Sequence, residues 1–514
     1  MAEAANATGP DFSQGIPLAD MPVGGTVAGR VGDEPVLLSR IGGKLFAVGG
    51  TCTHYGAHLA DGLVDGSTVR CPLHHACFSL KTGAALRAPA LDALPRWNVE
   101  IEDGRAFVRR RLEAQAVTDR LPSGDVERIV IVGGGAAGLA CASELRRLGF
   151  SGDVTIVSAD RDPPCDRPNL SKDFLAGTAP EDWLWLRGDD WYSENAVGLR
   201  LSSEVARVDP ERRVVHCSSG ERLPYDRLLI ATGSEPNRLM VDGFDRPEVL
   251  TLRSVADARA IADRARPGTR AVIVGASFIA LEAAAALRQR QVPIEIVSVE
   301  EIPLERVFGT EIGTRLRQLH ERNGVHFRLS SVVAGFDGDS VTLASGEKIA
   351  ADFVLVGIGV RPRTSVAQSA GAVVEQGVIV DSFLETTVQG IYAAGDVAAY
   401  PDPVTGERIR IEHWVTAERQ GQVAAANMLG MKRPFRAMPF FWTEQYGVPI
   451  RYVGRASGWD AVTIEGEFDD GSLIARYFTE GVHCATATVG KDRQNLEDEL
   501  MLERRVHAAE KEPA

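Results

Sequence analysis

The rhythm of apolar and polar positions changes along the chain. Between residues 12 and 111 the apolar residues fall in short alternating runs, 34–39 and 44–48 among them, set between glycine-rich turns, which predicts a small all-β unit. The stretch 112–126 is polar, contains Pro122-Ser123-Gly124 and reads as a linker. From Arg128 onward continuous apolar strands alternate with Ala/Leu/Arg-rich helical stretches, the pattern of βαβ units on a parallel sheet. Twice a strand runs through a glycine turn into a helix, at IVIVGGGAAG and at AVIVGASFIA. Beyond about Pro434 the pattern becomes mixed α+β, and the charged end, 504–514, is expected to fray. The divisions that follow are 12–111, 112–126, 127–250, 251–358, 359–433 and 434–514, with 359–433 returning to complete the unit begun at 127.

Composition narrows the setting. With 514 residues, several domains are expected. A net charge of −14 disfavours nucleic acid and anionic membranes as partners. No uninterrupted apolar run is long enough to span a bilayer, so membrane insertion is not expected. The first residues lack the basic and apolar regions of a secretion signal. Seven cysteines in so long a chain form no disulfide framework, which makes a reducing cytoplasm the expected compartment. Nothing here bears on oligomeric state.

Two of those cysteines carry chemistry. Cys52-Thr53-His54 and Cys71-Pro72-Leu73-His74 form a C-x-H … C-P-x-H pair, one thiolate and one imidazole per loop. Such a set suits a [2Fe–2S] cluster with two cysteines on one iron and two histidines on the other. Zinc also takes Cys₂His₂, but zinc fingers usually group like ligands together, whereas here they alternate. With CPLHHACFSLKTG in place, this unit resembles the ferredoxin-type Rieske domains. The disulfide cysteines of the respiratory type look replaced by Ala57 and Leu73. Ser79 stands where its hydroxyl could tune a cluster sulfide, and Cys77 reads as core.

The first glycine turn is a full G-x-G-x-x-G between strand 129–132 and a helix ended by Gly149. Gly133 permits the turn, Gly135 admits a pyrophosphate to the backbone, and Gly138 lets helix and strand pack closely, with Ala136 and Ala137 opening the helix. Asp160, after the next strand, is placed for the adenosine ribose or is simply a solvated loop carboxylate. DRPNLSK (166–172), YDRLLIATGS (225–234) and IYAAGDVA (391–398) then widen the match. They resemble the two-dinucleotide-domain flavoprotein disulfide reductase superfamily, and within it the oxygenase-type ferredoxin reductases and apoptosis-inducing-factor-like proteins. The resemblance implies FAD, with Arg167 beside its pyrophosphate and Asp396 and Gly395 at its ribityl chain. Ala231, Thr232, Gly233 and Gly359 join the cofactor-binding set. It implies Lys172 at the reactive edge of the flavin, with Glu282 as its ion-pair partner. Trp414 and Trp442, in EHW and FFWTEQYG, either approach the flavin or pack in the core. The implied fold is multidomain: an all-β Rieske domain, two α/β Rossmann-like domains for FAD and NAD, and an α+β C-terminal domain.

The second glycine turn departs from the pattern. Gly275 is kept, but Ser277 and Ala280 replace the later glycines, and Ser277 brings a side chain where a pyrophosphate should approach. Strand 294–297 ends at Ser298, so Glu300 is the acid expected to meet the ribose; with no arginine beside Ser298, NADH is favoured over NADPH. A thiol-based disulfide reductase would need a reactive cysteine, and lone Cys165 reads as packing. The expected activity is electron transfer from NADH through FAD to the cluster and on to a redox partner, an oxygenase or another carrier. A slow, redox-responsive signalling protein is the alternative.

Overall fold

A computed structural model of the chain describes residues 9–113 and 125–509. Most of the stretch read as a linker, Pro122-Ser123-Gly124 included, lies outside the described residues. The N-terminal unit is built on a six-stranded antiparallel sheet, ordered Ile16–Pro17, Arg105–Leu112, Arg96–Glu102, Lys44–Gly49, Glu34–Ile41, Thr26–Val31. Its central hairpin separates two cores. Side chains alternate across a strand, so Val36, Leu38 and Ala47 join Phe12 and Trp97 on one face. Leu37 and Val48 join Phe78, Leu94 and the two motif cysteines on the other. A smaller sheet, Leu63–Asp65, Thr68–Arg70, Cys77–Ser79, Ala85–Arg87, stands on that second face and carries one ligand loop between its middle strands.

The next unit is a five-stranded sheet, ordered Val197–Arg200, Asp153–Val157, Arg128–Val132, Arg227–Ile230, Ile391–Ala393, every pair parallel. Parallel strands are covered on both faces, and Ile129 to Val132 are accordingly all buried. Complete burial of each such side chain contributes about 1.5–3 kcal/mol. Helix Ala136–Arg147 crosses helix Trp414–Met428 so closely that a Cβ on Gly421 would stand 2.2 Å from the Ala137 carbonyl oxygen. A second parallel sheet, Val249–Leu250, Phe353–Val356, Ala271–Val274, Ile294–Val297, Val325–Arg328, carries helix Phe278–Gln289. The C-terminal unit is a five-stranded antiparallel sheet, Phe440–Gln445 to Ala461–Glu465 at its edges, covered by helix Asp492–Ala509.

That last helix corrects the expectation of a frayed end from Arg504. Val506 is buried, Arg504 pairs with Asp65 at 3.0 Å, and Arg505 donates to the His483 carbonyl, so tertiary contacts carry the helix to Ala509. Among the described residues no helix is long and apolar enough to cross a membrane.

Candidate redox site

The first glycine turn is shaped by its neighbours. Gly133 has φ +117°, and a Cβ there would lie 2.1 Å from the Ala231 carbonyl oxygen, so no other residue fits. A Cβ on Gly138 would meet the Gly133 carbonyl oxygen at 2.0 Å, which lets the helix sit down on the strand. At Gly135 the reverse holds: a Cβ would meet no protein atom within 4 Å, because the turn opens onto a cavity of about 950 Å³.

That cavity runs between the two parallel-sheet units and gathers most of the expected residues. Gly133, Gly135, Ala136, Ala137, Asp160, Arg167, Lys172, Ala231, Thr232 and Gly233 line it from the first unit. Ser277 and Glu282 line it from the second, and Gly359, Gly395, Asp396, Trp414 and Trp442 close it. Gly138, Gly275, Ala280 and Glu300 are not in its wall. Gly275 and Ala280 instead pack against Gly357, and Glu300 turns its carbonyl to the Ser330 N–H, with its carboxyl raised by burial. Ser277 does line the cavity, but its hydroxyl accepts from the Ala280 N–H as the helix N-cap.

Charges in the wall are paired. Asp160 meets Arg167 at 3.0 Å and Asp396 meets Arg253 at 2.7 Å. Lys172 Nζ lies 2.7 Å from Glu282, whose carboxylate also accepts from the Ser171 and Thr443 hydroxyls at 2.5 and 2.6 Å. Ser234 Oγ, Arg253 Nε and His413 Nδ1 are buried in this wall with no protein partner. Burial holds the His413 ring down at about 4, so it stands neutral. Unpartnered buried polar atoms beside an open glycine turn fit a large polar cofactor such as FAD. Cys165 is buried and its thiol pushed up to about 11, the opposite of an activated nucleophile.

The four residues expected to be cluster ligands, Cys52, His54, Cys71 and His74, sit on two loops of the same design. The Cys52 N–H donates to the Ala57 carbonyl and the Cys71 N–H to the Ala76 carbonyl, each at 2.8 Å. Gly56 and His75 donate back to the respective cysteine carbonyls, both with positive φ, +76° and +61°. The Cys52 and Cys71 thiols are near neighbours, each perturbing the other's ionisation, and His54 Nδ1 lies 3.2 Å from His74 Nδ1. Burial keeps both imidazoles neutral, His54 at about 3, as metal ligation requires. Among the described residues no three His, Cys, Asp or Glu side chains surround a single ion. The ligands meet as a thiol pair and an imidazole pair, which fits a two-iron cluster and not tetrahedral zinc. The Ser79 hydroxyl accepts from the Lys81 and Thr82 N–H groups in a local turn.

These loops face the cavity. The His74 ring lies 4.1 Å from Trp442, which is itself in the cavity wall. Tyr55 stacks on His54 with ring centroids 4.1 Å apart, and its hydroxyl donates to Asp166, the residue before Arg167. Behind the second loop Glu499, fully buried, touches Arg70, Arg419 and His75 at 2.9, 3.1 and 3.1 Å. Tyr55, Asp166, Arg253, Arg419 and Glu499 were not singled out from the sequence. Asp166 lies inside a quoted motif, but no local spacing marks the others.

The pyridine nucleotide-disulphide oxidoreductase family matches residues 127–421, and the chain belongs to it. The Rieske [2Fe-2S] domain family matches residues 16–98 and the reductase C-terminal family residues 440–514. The protein is an FAD-dependent NAD(P)H oxidoreductase whose cofactors are FAD, a Rieske [2Fe–2S] cluster and NAD(P)H. It is similar to apoptosis-inducing factor 3 of Homo sapiens, 35% identical over 90% of this chain and 79% of that protein. Rhodocoxin reductase of Rhodococcus erythropolis is 33% identical over 72% of this chain and 87% of its own. The covalent putidaredoxin reductase–putidaredoxin complex superposes with a TM-score of 0.71 at 29% identity, covering 74% of this chain and 93% of that one.

Proposed function

We propose that this chain takes electrons from NADH and delivers them to its own Rieske cluster, which passes them to a separate redox protein. Bound FAD supplies hydride acceptance and release of electrons singly, and the cluster accepts one electron at a time. Similarity to reductases whose names place them beside ferredoxins and dioxygenases supports the direction of flow. The single observation that carries the reading is the short connection from His74 through Trp442 to the cavity.

The chain's own residues then have these roles. Units 127–250 and 359–433 hold FAD in a Rossmann-like fold, 251–358 holds the nicotinamide nucleotide, 12–111 holds the cluster, and 434–514 closes the interface. The helix N-terminus after Gly135 faces the pyrophosphate, and Arg167 adds a cation there. Lys172, oriented by Glu282, offers positive charge where the ring becomes negative on reduction. Asp396 and Gly395 hold the ribityl chain. Ser277, tied down as an N-cap, leaves room at the second turn, and NADH remains the preferred donor although Glu300 lies outside the cavity wall. Because the cluster domain belongs to the same chain, its effective concentration at the cavity is high without any association step.

Anaerobic titration with NADH, following flavin absorbance and the cluster's EPR signal together, tests this. Flavin bleaching followed by a Rieske-type signal is expected. Bleaching with a permanently oxidised cluster would refute transfer in cis. A long-lived flavin–nicotinamide complex with negligible turnover would favour the redox-responsive signalling role.

A further inference from the structure

The two ligand loops differ in how their outer carbonyls are satisfied. The first closes mainly on itself. In the second, the carbonyls of Leu73 and His75, on either side of ligand His74, accept from two guanidiniums that the cluster domain does not own. Arg451 Nε donates to Leu73 at 2.9 Å, and Arg419 Nη2 donates to His75 at 3.1 Å. Arg451 comes from the C-terminal sheet and Arg419 from the helix whose Gln420 side-chain oxygen accepts from the Gly395 N–H. Both are buried.

We propose that Arg419 and Arg451 are positioning residues for the cluster: they complete its second ligand loop from outside the Rieske domain and raise its reduction potential. This rests on the reading of the cluster as the flavin's acceptor. Hydrogen bonds to the groups around a metal ligand fix the ligand's orientation and tune the metal. The charge balance acts in the same direction. Arg451 is matched by Asp492 at 2.5 Å. Among the described residues, however, Arg70, Arg87 and Arg419 share Glu499 and Glu503, so one positive charge is in excess behind the loop. The cluster gains one negative charge when it takes an electron, and a nearby buried cation favours that state. The potential is thus a property of the assembled chain, and the electron is drawn from the cavity toward the cluster.

The test is an EPR-monitored redox titration of the full-length holoprotein, wild type beside Arg419→Gln, Arg419→Lys and the charge-balanced pair Arg451→Met with Asp492→Asn. In Arg419→Gln the FAD content stays as in wild type, the equilibrium constant for cluster reduction falls about tenfold (59 mV for a one-electron couple), and the g-values move. Arg419→Lys keeps the charge and recovers most of the potential. The paired variant strands no buried charge, so it retains the fold and shows shifted g-values through loss of the Leu73 contact alone. Wild-type g-values and potential in both Arg419→Gln and the paired variant would overturn the proposal while leaving the electron path intact. A wild-type protein with no Rieske-type signal at all would overturn the underlying reading, and this proposal with it.

Discussion

Glu499→Ala is the most informative perturbation of the assembly. Glu499 has no exposed surface, and its two oxygens serve Arg70 at 2.9 Å, Arg419 and His75 at 3.1 Å and Arg87 at 3.5 Å. Removing one partner of a buried ionic group leaves uncompensated charge and costs about 3–5 kcal/mol. At about 1.4 kcal/mol per tenfold, that is a factor of about a hundred to several thousand in the equilibrium holding these segments together. Surface bridges across the same interface, such as Arg504–Asp65 at 66% and 38% exposure, contribute about 0–1 kcal/mol each and cannot compensate. The variant should therefore retain FAD and be reduced by NADH at the wild-type rate. Transfer from flavin to cluster should slow at least tenfold in stopped-flow measurements, and amide exchange should quicken across residues 70–90. The control Asp65→Asn should change neither. Wild-type exchange and transfer rates in a folded, cluster-loaded Glu499→Ala would refute the account of this group as the clamp.

Three further outcomes are expected. Cys71→Ser should lose the cluster's EPR signal while FAD stays bound and reducible by NADH; failure of flavin reduction in a folded variant would contradict separate sites. Asp396→Ala should strand Arg253, its partner at 2.7 Å, and weaken FAD retention on dialysis, so unchanged occupancy would count against the ribityl assignment. Glu418 is held well above the usual carboxyl range by burial and then by the charge of Asp166, with Arg419 opposing. Below about pH 4.3 it is protonated folded or unfolded; above that the unfolded chain ionises first, so stability falls by about 1.4 kcal/mol per pH unit until the folded value is reached. Glu418→Gln should thus match wild type near pH 4 and gain on it steadily above pH 5, read from urea midpoints. A constant offset at every pH would show that the buried carboxyl is not the cause.

What the sequence discloses is what lies within a few residues along the chain. Strand 129–132, the turn at Gly133 and the helix behind it were legible because one local pattern specifies all of them. The ligand pairs at Cys52 and Cys71 were legible for the same reason. That the Ser277 hydroxyl caps its own helix was not legible, because spacing shows which residue stands at a turn and not where its hydroxyl points. Ser79 is similar: its sequence position does not show that a local turn also uses its oxygen. The interface was invisible for a different reason. Tyr55 and Asp166 are 111 residues apart, and Arg70 and Glu499 are 429 apart, so no periodicity or motif relates them. Charged residues in a terminal helix read as a solvated face, and only burial against a second domain turns Glu499 into the centre of a clamp.

This interface bears on how the electron leaves. A mobile carrier must use one exposed edge first for its donor and then for its acceptor. Here His74 is 6% exposed and faces Trp442, while Tyr55 ties the other ligand loop to Asp166. While the domain is docked, the His74 side of that edge is committed to the reductase. On the proposed electron path an acceptor would draw electrons through another face of the cluster domain, or wait for the clamp at Glu499 to open. The two routes respond oppositely to Glu499→Ala: the first loses turnover with the external acceptor, because flavin-to-cluster transfer fails, whereas the second gains it. Measuring acceptor reduction in that variant distinguishes a fixed relay from a domain that must swing.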